Sequence, residues 1–271
     1  MDVINHKHMD LNSRKKEFFN ANPFPHLVID EFLEPDYFRN LKTIFNEMTT
    51  SENGRYFDTE LENKKWISLN SSLPNVVKQI VDALNADEWV NNVQNLTGID
   101  SLITTSHGNT RFLANYHEMG PGGVLGAHVD HSDEPVTGSP HILNVLIYLT
   151  EDWNENDGGS TILYDKTGKN IVSKVQYKQN RAVIFLHTPY SFHGVERISE
   201  NAQQKRKSIY VDYYSESYKP YNNINLNFSS RWFKHGTTFK LNSYLDYFKK
   251  ENYGYTKTLI KYHLNRYGFK I

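Results

Sequence analysis

The residues best suited to chemistry in this 271-residue chain lie in Gly126-Ala127-His128-Val129-Asp130-His131. In an extended strand, residues two apart project from one face, so His128 and Asp130 would offer an imidazole and a carboxylate side by side. That is two corners of a metal site. A third ligand from a separate strand would complete a 2-His-1-carboxylate set, which leaves coordination positions open and suits non-heme Fe(II) and oxygen chemistry. His193, in Ser191-Phe192-His193-Gly194-Val195, is the candidate third ligand, and the basic segment Arg206-Lys207-Ser208 lies beyond it.

A His-x-Asp pair alone is a short pattern that recurs by chance. Order and context add weight. The pair closes a Gly-rich approach (Gly120, Gly122, Gly123, Gly126), strands follow, the second His arrives about sixty residues on, and a basic residue follows within a β-rich segment. This ordered set resembles the Fe(II)/2-oxoglutarate-dependent dioxygenases, in particular their prolyl 4-hydroxylase-like branch, over about residues 110 to 215. The resemblance implies Fe(II) held by His128, Asp130 and His193, with 2-oxoglutarate as co-substrate, O2 as oxidant and ascorbate as a candidate accessory reductant.

If 2-oxoglutarate meets the metal through its 1-carboxylate and keto oxygen, its distal carboxylate needs a buried cation. Arg gives a planar bidentate match to a carboxylate, and hydroxyl donors complete the shell. Arg206 and Ser208, two apart on one strand, meet that need, and the resemblance points to the same Arg, thirteen residues after His193. Alternation puts Lys205 and Lys207 on the opposite face, as a solvated basic edge. Tyr116 and Tyr148 resemble tyrosines that contact 2-oxoglutarate in the oxygen-sensing members of this branch. In a chain with 18 tyrosines, packing in the barrel wall is an equal alternative for either.

The reaction implied by the resemblance is oxidative decarboxylation of 2-oxoglutarate to succinate and CO2, coupled to hydroxylation of an unactivated carbon. The first substrate reading is a peptidyl proline, and the alternative is a free amino acid or other small metabolite. Asp130 argues for hydroxylation over halogenation, because related halogenases lack that carboxylate. Nucleic-acid demethylases of the superfamily carry a second Arg six residues after the first, where this chain has Asp212. A non-enzymatic alternative is a cupin-like binding barrel whose His and Asp are incidental. Among the other histidines, His131 alternates away from His128, while His107, His117, His141 and His187 read as structural or substrate-facing and His26 as structural.

The elements that must position these groups follow from periodicity. Asn22 to Leu33 reads as an extended entry and a short strand, and Glu34 to Met48 as a helix with Phe38, Leu41, Phe45 and Met48 on one stripe. Thr49 to Ser72 reads as a long loop with room for a short strand. Leu73–Leu84 and Ala86–Leu96 read as two helices, with stripes Val76, Ile80, Val81, Leu84 and Trp89, Val93, Leu96. From Ser101 the period falls toward two, giving eight short runs: 111–117, 124–130, 142–150, 160–164, 171–177, 181–187, 192–197 and 207–214. Such a series suggests a double-stranded β-helix, or jelly roll, with helices packed outside one sheet. The fold class is therefore α+β with a mainly β core.

The expected organisation is a dioxygenase domain over 1–215, with helical support at 22–98 and the barrel core at about 101–215, then a helical C-terminal extension over 216–271. From Arg231 to Lys270 that extension holds nine Lys/Arg against two acids, read as a solvated face. The His131–Pro140 connection and the 49–72 loop are expected to border the mouth as lids. The absence of Cys excludes disulfides, thiolate zinc sites, Fe–S clusters and a Cys nucleophile. Charge is balanced, 30 Lys+Arg against 31 Asp+Glu, which recommends neither nucleic acid nor membrane as partner. No signal peptide and no apolar run of roughly 20 residues is apparent, so a soluble, cytoplasmic protein is expected.

Overall fold

A computed structural model describes residues 2–47, 54–58, 62–68, 73–104, 116–131, 134, 137, 139–215 and 231–232. Helix α1 (Lys15–Asn20) leads into strand β1 (His26–Ile29) and helix α2 (Pro35–Glu47). A hairpin of β2 (Gly54–Phe57) and β3 (Glu62–Ser68) comes before helices α3 (Asn75–Asn85) and α4 (Asp87–Thr97). Then come β4 (Leu102–Thr104), β5 (Tyr116–Val129), β6 (His141–Tyr148), β7 (Thr161–Tyr164), β8 (Ile171–Val175), β9 (Ala182–Leu186), β10 (His193–Val195), β11 (Arg206–Ser215) and β12 (Arg231–Trp232).

The strands run in the order β1-β9-β6-β11-β5-β10-β7-β8, with every pairing antiparallel, and curl into a nearly closed jelly-roll barrel. The long strand β5 makes this closure. Its first half pairs with β11, and its second half crosses to pair with β10.

Alternation along the central strands separates two cores. On β6, Leu143, Val145 and Ile147 face outward and pack with α3 and α4 through Ile80, Leu84 and Trp89. On the inner face Tyr148 joins Met119, Leu125, Val183 and Phe185 in the barrel lumen. Because both faces are covered, these strands read as almost continuous apolar runs. The helices are fixed to the sheet by polar contacts as well. The Trp89 indole donates to the Tyr213 hydroxyl at 3.1 Å, and that hydroxyl donates to the Leu84 carbonyl at 2.6 Å. Helix α4 carries Asp87 and Glu88 in its first turn, complementing its dipole, and stops at Gly98 in the left-handed region (φ 71°).

The jelly roll and its outer helices agree with the sequence reading. On α3 the fully buried stripe begins at Val77, with Val76 only partly buried. Two segments differ more. The 49–72 segment contains the β2–β3 hairpin, and β3 pairs with β5 from Ser68↔Tyr116 to Glu62↔Leu125. Its polar composition hid a strand whose partner lies sixty residues away. The separate runs 111–117 and 124–130 are one strand through the glycines, with residues 111–115 outside the described part. The helices expected within 216–271 also lie outside the described residues, as does His107. The described pair in that tail, Arg231–Trp232, is a strand on β5 at Arg231↔Val129 and Trp232↔His128. Among the described residues no helix is long and apolar enough to cross a membrane.

Candidate active site

A bulge in β5 brings the metal-type ligands together. His193 pairs with His128 and Val195 with Leu125, so two steps on β10 oppose three on β5. The extra residue turns both Leu125 and His128 into the lumen. Gly194 lies in the tight part of this crossing: a Cβ there would stand 2.6 Å from the Leu125 carbonyl oxygen and 3.1 Å from that of Gly126.

His128, Asp130 and His193 each present one ligand atom, and these atoms lie within 4.8 Å of one another. His128 Nε2 is 3.3 Å from Asp130 Oδ1, and His193 Nε2 is 3.5 Å from Asp130 Oδ2. The other ring nitrogens are anchored: His128 Nδ1 to the Gly126 carbonyl at 2.9 Å and His193 Nδ1 to the Ser191 carbonyl at 3.1 Å. A carbonyl only accepts, so each Nδ1 is the donor, which leaves each Nε2 as the ring nitrogen able to offer a lone pair to a metal. Burial pushes the His193 imidazole down to about 4, against the opposing pull of Asp130. Burial works to raise the Asp130 carboxyl, yet His193 and His128 hold it well below the usual carboxylate range. Two imidazole Nε2 atoms and one carboxylate that converge in this way fit a divalent cation between them, and N/O donors of this kind suit Fe(II).

Arg206 and Ser208 stand opposite Met119 and His117 of β5 and face the lumen. The Arg206 guanidinium is buried against the rings of Tyr148 (5.1 Å) and Tyr177 (4.8 Å), which stack on each other at 4.6 Å. Its Nε donates to the Gly159 carbonyl at 2.7 Å, Nη1 to Ser208 Oγ at 3.3 Å and Nη2 to Thr161 Oγ1 at 3.5 Å. Among the described residues no carboxylate lies within ion-pair distance of it. Tyr148 shares a 2.6 Å hydrogen bond with Thr161, and burial raises its phenol, which stays a neutral hydroxyl.

Of the residues expected at the site, the structure brings together His128, Asp130 and His193 as one group and Arg206, Ser208 and Tyr148 as another. Tyr116 stands apart from both. Its register partner on β11 is Ile209, so its side chain leaves by the outer face of the sheet. There its ring stacks on Phe45 at 5.8 Å and its hydroxyl donates to Glu118 at 2.7 Å. The barrel-wall alternative describes it. Lys205 and Lys207 are on that outer face too, Lys205 with Glu118 at 3.0 Å and Lys207 with the Phe45 carbonyl at 3.0 Å.

The remaining histidines divide. His26 Nδ1 donates locally, to the Phe24 carbonyl (2.8 Å). His117 faces the lumen against the Tyr210 ring (4.5 Å), and burial keeps its ring well below the usual value. His131, His141 and His187 stack behind Asp130, with His131–His141 at 4.9 Å and His141–His187 at 4.2 Å. Sequence reasoning did not single out Asn144, Thr161 or Tyr177. The paired glycines Gly158-Gly159, both at positive φ, were the available signal for the backbone approach to Arg206.

Residues 113–214 match the family model described as the 2OG-Fe(II) oxygenase superfamily. The matched stretch runs through the barrel strands that carry the donor set. Members of that superfamily use Fe(II), 2-oxoglutarate and O2, and the donor set above fits that metal. Among solved structures, the chain is similar to a prolyl hydroxylase from Trichoplax adhaerens in complex with a hypoxia inducible factor peptide fragment, at 18% identity and TM-score 0.56, covering 78% of this chain and 91% of that one. A Pseudomonas putida prolyl-4-hydroxylase gives 16% identity and TM-score 0.51, covering 76% and 98%. HygX from Streptomyces hygroscopicus, with nickel, 2-oxoglutarate and hygromycin B bound, gives 11% identity and TM-score 0.51, covering 77% and 89%. At these identities the likeness concerns the fold. No curated protein matches the chain.

Proposed function

We propose that this chain is an Fe(II)- and 2-oxoglutarate-dependent dioxygenase that hydroxylates an unactivated carbon of a peptidyl proline. The observation that carries the dioxygenase reading is a buried guanidinium, Arg206, without a carboxylate partner among the described residues, in the same lumen as the convergent His128, Asp130 and His193. A buried cation of this kind calls for an anionic ligand. A dicarboxylate reaching from it toward the metal supplies that anion.

In this reading His128, Asp130 and His193 hold Fe(II), while Arg206, with Ser208 beside it, receives the distal carboxylate of 2-oxoglutarate. Tyr148 offers its hydroxyl near the same end. With both bound, iron would direct oxidation by O2: one oxygen atom would enter the succinate formed as 2-oxoglutarate loses CO2, and the other the substrate C–H bond. The chain's own work is to bind, orient and exclude water. The apolar lumen wall of Met119, Leu125, Val183 and Phe185 performs the last of these.

The prolyl reading is supported by the fold shared with prolyl hydroxylases, and by the β2–β3 hairpin added to β5, the strand that carries His128. A second reading, a polar small metabolite, has one observation in its favour. Lys64 at φ 49° marks a bulge in β3 that puts Glu62 and Lys65 opposite Leu125 and Met119, as a buried 2.9 Å ion pair on the lumen side. Such a pair could meet opposite charges on a zwitterion. Incubation with Fe(II), 2-oxoglutarate, O2 and ascorbate, against a proline-peptide library and a metabolite pool, tests both. The expected result is succinate formation together with a product heavier by one oxygen. Absence of 2-oxoglutarate turnover under all conditions would overturn the dioxygenase reading in favour of a binding barrel.

A further inference from the structure

Behind the metal-type ligands lies a polar group that the reading above leaves unused. Asn144 sits on the lumen face of β6, paired with Asp212 of β11 on one side and Phe185 of β9 on the other. Its amide nitrogen donates to Asp130 Oδ2 at 3.2 Å and to Asp212 Oδ1 at 2.8 Å. Both acceptors are carboxylates, so the amide has one workable orientation: its two N–H bonds reach out to the two acids. Its carbonyl oxygen is buried without a hydrogen-bond partner among the described residues. A side chain chosen for packing or for its own satisfaction would not sit this way, since an unpaired buried acceptor is costly. The next lumen positions on the same strand are Leu146 and Tyr148, so an apolar residue would fit the pattern.

Asp212 is itself restrained. It is buried, with the Tyr214 hydroxyl 3.4 Å from its Oδ2 and His141 Nε2 3.5 Å from its Oδ1. The contacts therefore form one line from β11 through β6 to the ligand carboxylate, and each member has few other places to go.

We propose that Asn144 is a positioning residue for Asp130, fixing the plane of the ligand carboxylate from one of its two oxygens, with Asp212 as the anchor that fixes Asn144. This rests on the assignment of His128, Asp130 and His193 as metal ligands. Groups that orient first ligands commonly alter metal affinity by about 10–100-fold when removed.

The test is metal binding without turnover. Mn(II) is titrated into the full chain, free Mn(II) being followed by its electron paramagnetic resonance signal, for the parent, Asn144→Ala, Asn144→Leu and His128→Ala. Circular dichroism of each metal-free protein confirms that it is folded at the titration temperature. Asn144→Leu nearly keeps the side-chain volume and serves if the alanine variant fails to fold. The expected result is a Kd raised about tenfold or more in both Asn144 variants, with a shifted charge-transfer band in the anaerobic Fe(II)–2-oxoglutarate complex at saturating metal. Loss of binding in His128→Ala with an unchanged Kd and band in the Asn144 variants would overturn the inference. Undiminished binding in His128→Ala would instead overturn the ligand assignment on which it rests.

Discussion

His193 stands directly across β10 and β5 from His128, with ring centroids 4.3 Å apart, and each ring is tied by Nδ1 to the carbonyl two residues before it. This pairing is a product of sheet register, so the third candidate ligand is delivered by the same hydrogen-bonded ladder that closes the barrel. His128→Ala and Asp130→Ala are expected to abolish metal-dependent turnover with little change in melting temperature in the absence of metal. Iron-dependent activity surviving in Asp130→Ala would refute the ligand set.

Removal of the lumen cation should act on the co-substrate. Arg206→Ala is expected to weaken 2-oxoglutarate binding by about 2–4 kcal/mol, the scale of truncating one side of a buried charge-assisted pair. Lys205→Ala and Lys207→Ala, whose side chains leave by the other face, are expected to change it little. Titration calorimetry on the metal-loaded proteins separates the three.

Gly194 admits no side chain without a backbone response. In Gly194→Ala the new methyl would meet the carbonyls of Leu125 and Gly126, which belong to β5 and cannot swing aside as a side chain would. Forcing β10 away from β5 should destabilise the fold by about 1–3 kcal/mol and separate His193 from His128. Denaturant unfolding and Mn(II) affinity should both fall, and an unaffected metal affinity would show that the crossing tolerates the shift.

Asp30, at the end of β1, accepts from Arg181 Nε at 2.6 Å and Nη2 at 3.0 Å and from Lys178 at 3.1 Å. The bonds from Arg181, aided by Lys178 and opposed by burial, lower its carboxyl to about 2. A folded value below the unfolded one means that this contribution is present above about pH 4 and is lost as pH falls through about 2. Asp30→Asn should flatten that part of the acid-stability curve by a modest amount, because the pair is half exposed. A curve parallel to the parent's would show that the pair is not felt.

The parts of the site legible in the sequence were those set by local spacing. His128 and Asp130 are two apart, and so are Arg206 and Ser208, while Lys205 and Lys207 fall to the other face by the same rule. Tyr116 shows where local spacing stops. Its face is decided by Ile209 standing opposite it on β11, a register that no stretch of the chain announces. Asn144 and Thr161 reach the lumen from strands, and Tyr177 from the segment after β8, beside partners tens of residues away. The β2–β3 hairpin was hidden for a related reason: Glu62, Lys64 and Lys65 look like loop residues until their pairing with β5 is known.

The setting of Arg206, against the stacked rings of Tyr148 and Tyr177, has a thermodynamic consequence. Tyr148, Tyr177, Gly159, Ser208 and Thr161 satisfy the guanidinium's shape and several of its N–H groups but give it no counter-charge. The folded barrel therefore carries a standing electrostatic debt that a dicarboxylate discharges on entering. Ligand binding only to the folded form adds RT ln(1 + [L]/Kd) to stability, about 2.7 kcal/mol at a hundredfold excess over Kd. On the proposed reading 2-oxoglutarate would thus double as a folding ligand, and the lifetime of this protein against unfolding and proteolysis should track its concentration.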